Sequence, residues 1–137
     1  MPLSALLFEE RHMKYVLVGD IHGVVPHLVR ARKENPEIPV IQVGDFGYGF
    51  NNEDWDRNTT KWCQENDVRF IRGNHDYPDM CKTVPTWIED GHFENDVMFI
   101  GGAASIDRDN RTAGFDWWPD EEISDYDFEH ILEKYLD

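Results

Sequence analysis

Lys14-Tyr15-Val16-Leu17-Val18-Gly19-Asp20-Ile21-His22-Gly23 joins a short apolar run to a glycine and two potential metal ligands. The pattern returns twice. Pro39-Val40-Ile41-Gln42-Val43 leads into Gly44-Asp45, and Val68-Arg69-Phe70-Ile71 leads through Arg72 into Gly73-Asn74-His75-Asp76. Apolar runs of four or five residues closed by glycine predict buried strands over Lys14 to Val18, Pro39 to Val43 and Val68 to Ile71. Between them, Pro26 suits a first helical turn and Leu28, Val29, Ala31 and Arg32 continue a helix to about Asn35. A second helix is expected from Asn52 or Glu53 to Asn66, with Trp55, Thr59 and Trp62 on one face. Two successive βαβ units follow, hence an α/β fold with three parallel strands and right-handed crossovers.

The pattern changes after His75. Asp96 to Ile100 reads as a strand, with Ala103 to Ile106 expected to return beside it as a hairpin. A last helix starts at Ser124, where Asp127 completes a capping box. Its stripe of Phe128, Ile131, Leu132, Tyr135 and Leu136 has core-facing spacing. This face is expected to lie on the three-stranded sheet or on a neighbouring chain.

Composition bounds the chemistry. The 137 residues suit one domain, and 13% aromatic residues suit a packed interior. Residues 1–12 precede a second methionine, Met13, and are expected to be an extension outside the domain spanning 13–137. A net charge of -15 argues against non-specific nucleic-acid binding, because such a field repels phosphate backbones. Cys63 and Cys81 lack CxxC spacing, which points to reduced thiols in a cytoplasmic protein. No apolar run approaches the roughly 20 residues that span a bilayer.

In an open α/β sheet, polar groups at the carboxyl ends of parallel strands converge on one crevice. Asp20, His22, Asp45, Asn74 and His75 are therefore expected to meet. Carboxylates, an imidazole and an amide oxygen make a donor set for hard or borderline divalent ions rather than for soft copper(I) or iron–sulfur clusters. In an extended Asp20-Ile21-His22, alternate side chains would reach one ion. Each cluster alone has a duller reading: Gly-Asp as a turn, Asp20 as a helix cap, Asn74-His75-Asp76 as a polar turn. Three such clusters in order, each behind a buried strand, favour a metal site.

Asp-x-His, Gly-Asp and Gly-Asn-His-Asp in this order resemble the signature of the calcineurin-like metallophosphoesterases. The later Gly101-Gly102-Ala103-Ala104-Ser105-Ile106-Asp107, with Trp117-Trp118-Pro119, is similar to a small bacterial and phage branch of that family. The resemblance implies a parallel-stranded βαβαβ core of an αββα sandwich. It implies two divalent ions, of Mn, Fe, Zn, Ni or Mg, with Asp20 and His22 on one, Asp45 bridging, and Asn74 on the second. It implies His75 as acid or phosphate-binding group, oriented by Asp76, and hydrolysis of a small phosphomonoester or phosphodiester by a hydroxide held between the metals. The family normally adds a further histidine and a Gly-His-x-His segment. The sequence stops at Asp137 before either, so the N-terminal portion of the family domain and a weak second metal site are expected.

Of the remaining histidines, His92 is the best substitute by position but reads as a surface turn residue, and Arg108 and Arg111 read as solvated. The rival reading is a truncated relative that binds metal weakly and serves as a non-catalytic interaction module, with self-association or a partner over the uncovered half of the fold. An aspartyl-phosphate phosphatase using Asp20 is disfavoured, because position 22 holds histidine rather than a second aspartate.

Overall fold

The computed structural model describes residues 14–49, 52–74, 76–102, 112–113 and 118–136. The three expected strands form one sheet in the order β1 (Val16–Val18), β2 (Val40–Val43), β3 (Val68–Ile71), and both pairings are parallel. Val16 lies opposite Val40, and Val40 opposite Val68, so one alternating set of apolar residues shares a face.

Helices α1 (Val25–Glu34) and α2 (Glu53–Glu65) connect the strands. Pro26 sits in the first turn of α1, where a missing N–H costs nothing. Asn52 caps α2, its side chain accepting the Trp55 amide at 2.7 Å. Leu28 of α1 and Cys63 of α2 join Val40, Val68 and Phe70 in one buried cluster with Phe46 and Tyr48. Sequential strand order with crossovers of one hand puts both helices on one face, as this cluster requires. Burial pushes the Cys63 thiol up to about 12, and Cys81 is also a buried free thiol.

Beyond β3 the chain makes a short helix, α3 (Pro78–Cys81), absent from the sequence-based expectation. Residues 86–88 then lie parallel to β3, with the Phe70 amide donating to the Thr86 carbonyl and the Ile88 amide to the Phe70 carbonyl. The edge of β3 is thereby partly paired.

The hairpin differs from expectation. β5 (Val97–Phe99) pairs antiparallel with the preceding segment, β4 (His92–Glu94). Asn95 and Asp96 form the two-residue link, both with positive φ (50° and 61°), the conformation a tight primed turn demands. The Ala103 to Ile106 return lies outside the described residues. His92 is thus a strand residue, half-buried, with Nε2 2.8 Å from Glu94 Oε1.

The last helix, α4 (Asp125–Leu136), begins as expected, the Ser124 hydroxyl accepting the Asp127 amide at 3.1 Å. Its apolar face does not cover the three-stranded sheet. Only Ile131 is buried, over Gly91 at the root of the hairpin, and Tyr135 meets Phe93 edge-on. Phe128, Leu132, Tyr135 and Leu136 stay exposed. The hairpin takes up the central part of the sheet's second face, with Phe99 and Val97 packed alongside Ile41, Ile71 and Ile88.

Candidate metal centre

The carboxyl ends of the three strands frame a cleft of about 210 Å³, lined by Asp20, Asp45, Arg72, Asn74, Gly101 and Gly102 among others. One ligand atom each from Asp20, His22 and Asp45 lies within 4.8 Å of the other two. His22 Nε2 is 3.8 Å from an Asp20 oxygen and 3.9 Å from an Asp45 oxygen. Donors about 2.0–2.2 Å from a shared ion stand about 3–4 Å apart, so this spacing fits one divalent cation with small adjustment. Asp45 forms the buried floor, while Asp20 and His22 are open to solvent, leaving positions for water and substrate.

The backbone that achieves this is not the extended segment expected at Asp20 to His22. Asp20 and His22 both have positive φ (48° and 43°), with Ile21 buried between them. Asp45 is left-handed as well, at 53°. These three supply half of the six non-glycine residues with positive φ among the described residues, so unfavourable backbone is concentrated at the candidate ligands. What holds it is main-chain bonding between the two loops. The His22 amide donates to the Asp45 carbonyl at 2.9 Å, and the Gly23 amide to the Phe46 carbonyl at 2.7 Å. From below, the buried Gln42 amide group bonds both the N–H and the carbonyl of Gly44.

The third loop is locked to the second. Asp76 is 1% exposed, and its two oxygens accept the amides of Gly47 (3.1 Å) and Gly73 (2.8 Å). Burial raises its pKa, and the backbone donors of Gly73, Gly47 and Phe46 oppose that shift. Gly73 is required on steric grounds, because a Cβ there would lie 2.2 Å from both the amide nitrogen and Oδ1 of Asp45. Asn74 lines the same cleft. His75, Asp107, Arg108, Arg111 and Trp117 lie outside the described residues.

Two residues were not singled out by the sequence reading. Gln42 sits inside an apolar run, where it reads only as a weak spot in a strand. Arg72 reads as a charged residue at a strand end, yet its side chain is 6% exposed beside the cleft. A cation placed directly before Gly-Asn, at the end of a buried strand, was the available signal.

A family model described as calcineurin-like phosphoesterase matches residues 13–135. The chain belongs to that family, whose members couple divalent metal to phosphoester hydrolysis. No curated protein and no solved structure matches the chain. No helix among the described residues is long and apolar enough to cross a membrane.

Proposed function

We propose that the chain is a metal-dependent hydrolase of small phosphoesters, with Asp20, His22 and Asp45 holding one divalent ion and Asn74 joining Asp45 at a second position. The observation that carries this reading is the approach of three donor atoms to within 4.8 Å at the ends of adjacent parallel strands. A bound divalent ion lowers the pKa of water and offsets charge on phosphoryl oxygens. The chain's own residues supply the rest. Asp45 offers a rigid floor fixed by two loops, and Asp20 and His22 leave the solvent side open for an entering phosphate. His75, next to Asn74, is assigned proton donation to the leaving oxygen, and Asp76 the fixing of the loop that carries it. At the second position the described residues supply Asp45 and Asn74 as candidate ligands.

A role in protein association is favoured by a separate observation, the exposed apolar residues Phe128, Leu132, Tyr135 and Leu136 on α4. Metal content and turnover of a chromogenic phosphodiester with Mn²⁺ distinguish the two readings. Metal-dependent hydrolysis is the outcome that supports the hydrolase reading. Asp45→Asn should lose more metal than any other single change. His75→Ala should retain metal and lose ~10²–10⁴-fold in rate, least for substrates with good leaving groups. Full metal content with no turnover would favour association, and metal retained by Asp45→Asn would remove the site from consideration.

A further inference from the structure

We propose that Arg72 and Asp90 form a positioning pair that fixes the wall of the cleft facing the Asp20, His22 and Asp45 cluster; this rests on the metal-dependent reading of that cleft. Arg72 follows β3 directly, and its guanidinium is almost wholly withdrawn from water. A buried guanidinium is tolerated only when its donors are matched. Here Nε and Nη2 reach Asp90 Oδ2 at 3.1 and 3.0 Å, while Nη1 donates to the carbonyls of Asp120 (2.6 Å) and Glu121 (3.1 Å). These contacts make Arg72 part of the wall rather than a group reaching out for phosphate.

The same two residues hold the glycines opposite. The Gly102 amide donates to the Arg72 carbonyl at 2.8 Å, and the Gly101 amide to Asp90 Oδ1 at 2.9 Å. A Cβ on Gly101 would lie 2.5 Å from the Arg72 carbonyl oxygen, and one on Gly102 would lie 2.0 Å from the Glu121 carbonyl oxygen. The Gly101-Gly102 backbone is therefore threaded between Arg72 and the segment that its guanidinium grips. Because Gly73 and Asn74 follow Arg72 in the chain, one residue sets the spacing between the Asn74 loop and the glycine wall. Lysine keeps the charge but lacks the planar fork that joins Asp90 to two carbonyls.

Arg72→Lys and the milder Asp90→Asn test the pair in the full chain. By amide hydrogen exchange of the metal-free protein, Gly101 and Gly102 should exchange at least ~10-fold faster in either variant, and His22 and Gly23 within ~2-fold of native. With Mn²⁺ added, the tighter ion should bind within ~3-fold of native while kcat/KM for the phosphodiester falls ~10–100-fold. Equal acceleration at all four amides would reduce the pair to general stabilisation and overturn the proposal. Native exchange at Gly101 and Gly102 would overturn it too, as would native kcat/KM in an active protein. A native chain that neither binds Mn²⁺ nor hydrolyses the ester would instead sink the hydrolase reading, and the metal-free exchange would still decide whether the pair holds the wall.

Discussion

On one face of the parallel sheet, Val40, Val68 and Phe70 are sealed under α1 and α2; on the other, Ile41 and Ile71 meet Phe99 and Ile88 while Leu17 stands 64% exposed. The sealed face is held by apolar packing, with Phe46, Tyr48 and Phe70 in mutual ring contact at 5.0 to 5.2 Å. Burial raises the Tyr48 pKa well above its usual value, a sign of how dry that interior is. The second face relies on a polar latch. Glu94 of β4 accepts both guanidinium nitrogens of Arg69, the Tyr15 hydroxyl at 3.1 Å, and pairs with His92. The contrast bears on function, because Phe46 and Tyr48 follow Asp45 in the chain. The sealed face anchors the Asp45 loop, whereas the latch anchors only the hairpin.

The largest expected effect is therefore on the sealed face. Phe70→Ala empties a fully buried site between two rings and should cost about 3–5 kcal/mol in chemical denaturation. Because Phe46 leans on Phe70, weakened Mn²⁺ binding should accompany the loss even in conditions where the variant remains folded. Native metal affinity in folded Phe70→Ala would break the link between packing and site.

Gly73→Ala sharpens the same link without touching the core. The added methyl would collide with the amide nitrogen and the carboxylate of Asp45, the first of which is backbone that cannot swing aside. Far-UV circular dichroism should remain native, while Mn²⁺ affinity falls ~100-fold, about 2.7 kcal/mol. Unchanged affinity would mean that the Asp45 loop relaxes more freely than its hydrogen bonds imply.

Much of this arrangement is legible in the sequence, for identifiable reasons. The three strands were expected within two residues of their observed bounds, because each is a buried apolar run ended by glycine, a signal independent of tertiary context. Asp20, His22 and Asp45 converge because parallel strands point their carboxyl ends one way. The left-handed turns that bring them together were not legible. Aspartate and histidine carry no strong local preference for that backbone, and it is the long-range bonds to the Asp45 and Phe46 carbonyls that impose it. The β4–β5 pairing was missed because Asn95-Asp96 lacks the glycine that usually marks a two-residue turn. Which surface receives the α4 face was not legible, since spacing identifies an apolar stripe but not what covers it. Of that stripe only Ile131 finds one.

The smallest of these effects belongs to the latch, and its pH dependence gives it a signature of its own. The Arg69 hydrogen bonds, helped by those from His92 and Tyr15, lower the Glu94 pKa to about 2, against an ordinary value of 4.5. A carboxyl whose folded pKa is depressed contributes stability that is fully present above its unfolded pKa. That contribution is lost as pH falls from about 4.5 through about 2. Glu94→Gln should thus cost about 2 kcal/mol at neutral pH, the scale of a charge-assisted hydrogen bond that is partly screened by solvent. The native and variant stability curves should draw together as pH approaches 2. Since the latch reaches neither Asp45 nor Phe46, Mn²⁺ affinity at neutral pH should match that of the native protein. A pH-independent gap would assign the loss to packing rather than charge. A change in metal affinity would show that the hairpin and the Asp45 loop are coupled, erasing the division between the two faces.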